Sequence, residues 1–173
     1  MSADLPEPVV PGPVLVIGCG LIGTSVALGL SDLGVRVHLR DARPANVELA
    51  ASLGAGTPDP VQDPALVVVA VPPAAVVETA LAALEEFPSA VVTDVASVKT
   101  HVCAGVTDPR FVGGHPMAGK ERSGPMAGSG LLFEGRAWAV VPTEGTDPEA
   151  VAVVERVATA LGSVVRRMDA ASH

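Results

Sequence analysis

Val14-Leu15-Val16-Ile17-Gly18-Cys19-Gly20-Leu21-Ile22-Gly23 joins a short apolar run to a G-x-G-x-x-G turn. The run Val14 to Ile17 is continuously apolar, as a strand buried on both faces reads. Residues 22–33 carry Ile22, Val26 and Leu30 at four-residue spacing, which predicts a helix, and Gly34 follows as its stop. Residues 35–39 alternate Val, Arg, Val, His, Leu and predict a second strand ending near Asp41. The result is a βαβ unit with glycines at its first crossover. Gly18 makes the tight turn, Gly20 lets backbone N–H groups approach a pyrophosphate, and Gly23 lets the helix pack closely on the sheet. The helix N-terminus adds unpaired N–H donors and a partial positive charge. Gly18, Cys19, Gly20, Leu21, Ile22 and Gly23 are therefore candidate dinucleotide contacts. A strand-to-helix turn without a ligand satisfies the same pattern, and it is the flanking strand and helix that favour the ligand.

The alternation continues along the chain. Residues 45–53 predict a helix, 66–71 a strand, and 74–84 a helix opened by Pro72 and Pro73. Residues 90–93, 111–112, 137–141 and 163–167 add strands, and 148–161 a helix with Val151, Val154, Val157 and Leu161 on one face. Strands and helices in turn imply an α/β, Rossmann-type doubly wound, mostly parallel sheet whose ligand sites lie beyond the C-terminal strand ends. Val71 and Pro72, at such an end, are further candidate cofactor contacts. Asp41 stands where an acid about 20 residues past the glycines bonds the adenosine ribose hydroxyls. A carboxylate there repels a 2′-phosphate, so NAD is expected over NADP. Arg40 and Arg43 flank the acid and can bind a phosphate if the loop turns differently, and Asp41 can equally cap the turn before Pro44.

Composition narrows the class. A chain of 173 residues suits one domain without disulfide or metal staples. Residues 1–13, acidic and proline-rich, read as a disordered leader, and 14–168 as the dinucleotide-binding domain. With 19 acidic against 11 basic residues the net charge is -8, so neither nucleic acid nor an anionic membrane surface is an expected partner. No apolar run reaches the ~18 residues of a membrane span. The two cysteines, Cys19 and Cys103, match no metal spacing, which fits reduced thiols in a cytoplasmic protein with no metal site. With three Phe, one Trp and no Tyr, the core must be built from Val, Ala and Leu.

Two further clusters fall at predicted strand ends. In Asp94-Val95-Ala96-Ser97-Val98-Lys99-Thr100, Ser97 can hold a substrate hydroxyl or a catalytic imidazole, or can be the N-cap of a helix starting at Val98. Lys99 either attracts an anionic substrate or solvates a helix face. His115 follows two glycines and precedes Pro116, which places it in a loop. A loop histidine can be a mere surface residue. An imidazole beside a dinucleotide site can also take the hydroxyl proton as hydride leaves carbon. His38 and His101 read as structural or solvent-facing, Cys19 as a small filler, Met117 and Met126 as pocket wall, and Trp138 as core.

The residues resemble the prephenate and arogenate dehydrogenases of tyrosine biosynthesis. The resemblance rests on Val16 through Ser25, on Asp94-Val95-Ala96-Ser97-Val98-Lys99, on Gly113-Gly114-His115-Pro116-Met117-Ala118-Gly119-Lys120-Glu121-Arg122-Ser123-Gly124, and on Leu132 through Trp138. It covers residues 14–173, and the His-Pro-Met-Ala-Gly segment is its most specific part. It implies an NAD-dependent oxidative decarboxylation of prephenate to 4-hydroxyphenylpyruvate, with His115 as the catalytic base and Ser97 near the imidazole and the substrate hydroxyl. It also implies Glu121 at the site entrance and His173 as the histidine of the family's His-Asp pair; with Lys99 these are the candidate substrate-binding residues. Lys120 departs from the small or neutral residue usual there. Family members continue into a helical domain that dimerises them. Residues 169–173 read as the start of the junction to it, so a fragment is expected, with the whole protein a homodimer. Arogenate dehydrogenase and a non-catalytic NAD-binding module are the alternative readings.

Overall fold

The computed structural model describes residues 10–118 and 128–173. Its strands are β1 (Val14–Ile17), β2 (Val37–Arg40), β3 (Leu66–Val69), β4 (Val91–Asp94), β5 (Phe111–Pro116), β6 (Ala137–Val141) and β7 (Val164–Arg167). Between them lie α1 (Leu21–Asp32), α2 (Pro44–Ser52), α3 (Val76–Glu86), α4 (Lys99–Gly105) and α5 (Pro148–Ala160). The strands form one sheet in the order β2-β1-β3-β4-β5-β6-β7. Every neighbouring pair is parallel except β5 with β6.

Strand alternation divides the core between the two faces. Val14, Val16, Leu66 and Val68 pack with Val26 and Leu30 of α1 and with Val151, Val154 and Val157 of α5. Leu15, Ile17, Val67 and Val69 meet Val76, Ala80, Ala83 and Leu84 of α3 on the opposite face. Both faces of the central strands are covered, as their unbroken apolar runs require, and the sheet is doubly wound.

Residues just before β1 join the framework. Val10 is buried in the α1 face of the core, and the Pro13 carbonyl accepts the Ala65 N–H at 2.9 Å. Among the described residues, no helix is long and apolar enough to cross a membrane, and no cluster of His, Cys, Asp and Glu is suited to a metal ion.

Arg110 closes one end of this framework. Its guanidinium donates to the carbonyls of Leu84, Phe87 and Ala90, at 2.8, 2.8 and 2.9 Å, where α3 turns into β4. Charged donors on helix-end carbonyls stabilise more than neutral ones. Arg110→Ala should cost about 2 kcal/mol, read as a lower urea midpoint at constant m. An unchanged midpoint would show that water serves those carbonyls as well.

Candidate functional site

The glycine turn is shaped by contacts that leave no room for a side chain. At Gly18, with φ +106°, a Cβ would lie 2.3 Å from the Ala70 oxygen, and at Gly23 one would lie 1.8 Å from the Gly18 oxygen. At Gly20 a Cβ would meet nothing within 4 Å. Gly20 is also the N-cap of α1, where no side chain caps the helix and no acid occupies the first turn. The helix end therefore faces open space with its N–H donors uncapped, which fits a pyrophosphate.

That space belongs to a cleft of about 1050 Å³ at the C-terminal ends of β1 to β4. Gly18, Gly20, Leu21, Ile22, Asp41, Arg43, Val71 and Pro72 line it, with Asn46 of α2 and Thr79 of α3, for which no sequence motif gave a signal. Cys19 and Gly23 stand behind the wall. Asp41 accepts the Cys19 N–H at 2.7 Å and the Arg43 N–H at 2.8 Å, so its carboxylate orders both the glycine turn and its own turn while facing the cleft. Arg40 also borders the cleft, but its guanidinium is engaged by both Glu86 oxygens, at 2.8 and 3.0 Å. Burial and the nearby Asp41 charge push the Cys19 thiol up to about 12, so it stays protonated and serves as filler.

Val95 and Ala96 form the far end of the cleft, just past β4. There Asp94, fully buried, accepts the Ala96 N–H at 3.1 Å and the Gly114 N–H at 3.1 Å, and pairs with the Lys99 ammonium. Burial is the largest influence on both ionisable groups, raising Asp94 and lowering Lys99, and their attraction opposes it. Lys99, expected to meet substrate or solvent, is 2% exposed and does neither. Its side chain completes an ion pair beneath the site. Ser97 is exposed and makes no hydrogen bond to another described residue; the N-cap of α4 is Val98.

His115 lies on β5, not in a loop. The glycines before it serve close approach: a Cβ at Gly114 would come within 2.8 Å of the Asp94 carbonyl and 3.2 Å of the Trp138 indole nitrogen. Such crowding admits glycine in a strand, and the strand runs on through His115, opposite Ala139, to Pro116, opposite Trp138. Met117 donates to Ala137 at 2.8 Å, so by alternation Pro116 faces away from β6, where its missing N–H breaks no bond to that strand. His115 is half-buried, and its Nδ1 lies 2.8 Å from Nε2 of His173. Burial, then His173, then Lys99 hold the His115 imidazole below its ordinary pKa. Glu121, Lys120 and Met126 lie outside the described residues. Met117 is 43% exposed and not packed in a wall, whereas Trp138 is core, tilted against Phe133. His38 bonds the Asp59 carbonyl, and His101 is exposed.

The family profile described as prephenate dehydrogenase, nucleotide-binding domain, matches residues 26–167. A probable prephenate dehydrogenase, NovF, of Streptomyces niveus is 38% identical over 165 residues, which are 92% of this chain and 46% of that protein. The crystal structure of A. aeolicus prephenate dehydrogenase in complex with hydroxyphenyl propionate and NAD+ superposes with a TM-score of 0.84 at 30% identity, over 92% of this chain and 60% of that one. Synechocystis arogenate dehydrogenase gives 0.83 at 29% identity, over 92% and 60%. The chain spans about half the length of the curated relatives it matches. The profile and the relatives agree with the fold and the glycine cleft: this chain belongs to the prephenate dehydrogenase family, as its nucleotide-binding domain.

Proposed function

We propose that the cleft seats NAD, and that in the whole protein His115 is the general base for the oxidative decarboxylation of prephenate to 4-hydroxyphenylpyruvate. NAD supplies the acceptor for the hydride that leaves the ring carbon. The chain's own residues do the rest. Gly20 and the N-terminus of α1 hold the diphosphate, and Asp41 bonds the adenosine ribose and repels a 2′-phosphate. Arg40 is already engaged by Glu86, which leaves NAD favoured over NADP. His115 takes the proton of the ring 4-hydroxyl, and the resulting ketone is vinylogous to the ring carboxylate. Carbon dioxide then departs with its bonding electrons left on the ring, which aromatises. Ser97, exposed at the β4 end, is available to a substrate hydroxyl, and Glu121 and His173 are assigned to the substrate side. In this reading the protein is cytoplasmic and homodimeric.

The observation that supports this reading is the Asp94 bridge. By bonding the Gly114 N–H it ties the residue before His115 to the strand whose continuation, Val95 and Ala96, closes the far end of the cleft. The likeness to Synechocystis arogenate dehydrogenase favours arogenate as the second substrate to test. NADH absorbance with prephenate, arogenate and simple hydroxy acids, on the protein as its gene encodes it, should rise with one or both of the first two. Tight NADH binding with no turnover of any would leave a binding module instead.

Gly20→Asp tests the cleft alone. Asp is a preferred N-cap, so the melting temperature should hold or rise. The added carboxylate fills the diphosphate space with like charge, so NAD affinity should drop at least tenfold, about 1.4 kcal/mol. Undiminished affinity in a calorimetric titration would place the diphosphate elsewhere.

A further inference from the structure

The Nδ1 of His115 and the Nε2 of His173 are 2.8 Å apart, a hydrogen bond that contains one proton. Two assignments are possible, and they differ chemically. If His173 donates, the Nδ1 lone pair of His115 is occupied and the proton of its neutral ring sits on Nε2. Neither nitrogen can then accept a proton. If His115 donates, its Nε2 lone pair is free. We propose that His173 is a positioning residue for His115: its Nε2 accepts the Nδ1 proton and holds the base in the tautomer whose Nε2 can take the substrate proton. The inference rests on the reading of His115 as that base.

Three features give the contact its physical basis. The segment carrying His173 is anchored: Met168 and Ala170 pack against Cys103, Ala139 and Val141, Ser172 donates to the Asp169 carboxylate at 2.6 Å, and His173 donates its N–H to the Asp169 carbonyl at 3.1 Å. The rings meet edge to face at 61°, with centroids 4.9 Å apart, a geometry in which an N–H of one ring can point at a nitrogen of the other. Among the described residues, the charge that acts on His115 is that of Lys99 from α4, itself paired with Asp94 from β4. Burial first, then His173 and Lys99, hold the His115 pKa below its ordinary value and favour the neutral ring, which has only one basic nitrogen for the tautomer to place. Once His115 is protonated, its bond to His173 becomes charge-assisted and strengthens, so the contact stabilises the product of proton transfer more than the reactant. His173 must then carry its own proton on Nδ1, which is left as a donor for a substrate oxygen.

Selective nitrogen-15 labelling of histidine and long-range proton–nitrogen correlation at about pH 8, above the imidazole titration range, can identify the tautomer of His115, whose signals are assigned by their loss in His115→Asn. His115 should carry its proton on Nδ1 in the protein as its gene encodes it. His173→Phe should lose that signature and lower kcat roughly 10- to 100-fold, as losing the outer partner that orients a histidine does, with KM for NAD unchanged. His173→Gln keeps an acceptor and should recover most of the rate. A proton on Nε2 of His115, equal kcat in the Phe and Gln variants, or an effect confined to KM for prephenate would each overturn the proposal. The expected tautomer in a protein that oxidises nothing would sink the base role of His115 and leave the assignment standing.

Discussion

His115→Asn should leave NAD affinity nearly unchanged and lower turnover of prephenate by about 10²- to 10⁴-fold, the range a positioned general base contributes. Asn is close in size and can still hydrogen-bond, so β5 and its antiparallel pairing with β6 should survive. What it lacks is a lone pair that binds a proton near neutral pH. His115 is not among the residues that line the cleft at the ends of β1 to β4, which explains why cofactor binding should be insensitive. The pH dependence gives an independent check. His115 acts as a base only when neutral, and burial, His173 and Lys99 hold its pKa below the ordinary value. Activity should therefore persist below about pH 6.5 and fall as the pH drops through the lowered pKa. The stability linkage has the same sign: the unfolded chain protonates this histidine first, so its contribution is present above the unfolded pKa and diminishes as the pH falls. Turnover within a few-fold of the unsubstituted protein, or an acid limb that survives His115→Asn, would remove the residue from the chemistry.

Asp94→Asn should cost about 3–5 kcal/mol of stability, because it leaves a buried ammonium without its counter-charge. The side chains of Asp94 and Lys99 are both fully enclosed. An amide oxygen can still accept from one of the Gly114 and Ala96 N–H groups, yet it offers no charge to Lys99. With total stabilities of about 5–15 kcal/mol, a loss of that size should bring the protein close to unfolding near room temperature. The double variant Asp94→Asn with Lys99→Met is the control. An apolar chain of similar reach removes the orphan charge, so much of the loss should return, with a coupling of about 2 kcal/mol or more in a double-mutant cycle. A loss under about 0.5 kcal/mol for Asp94→Asn would mean that Lys99 deprotonates or reaches water at little cost. The same substitution should loosen the tie between β4 and the strand bearing His115, so its turnover should fall further than its stability alone accounts for.

The glycine turn was readable from local pattern because two of its requirements are local, although the Ala70 oxygen that crowds Gly18 comes from the end of β3. A φ of +106° at Gly18 and the contact between Gly23 and the Gly18 oxygen arise within one strand-turn-helix unit. Asp41 was readable as the residue of its own turn and as an acid beside the glycines, since a carboxylate at the end of β2 can serve its turn while bordering the cleft. The order of strands and helices followed from apolar periodicity. Ser97 and Lys99 were recognisable as polar residues at a strand end, but their exposure was not. Ser97 is outside and Lys99 inside because Asp94, five positions before the lysine, turns inward and needs a cation.

Sequence alone thus determined the βαβ unit, the glycine cradle, the acid facing it and the presence of a histidine near the next sheet edge, all properties of short segments whose chemistry depends on immediate neighbours. The tertiary structure alone decided that His115 sits on a strand paired antiparallel to β6, that Lys99 is sealed beside Asp94, and that His173 reaches back across 58 positions to the imidazole. The reason is physical: the direction of a backbone hydrogen bond, the desolvation of a charge and the tautomer of a ring are set by groups remote along the chain, and only packing brings those groups together.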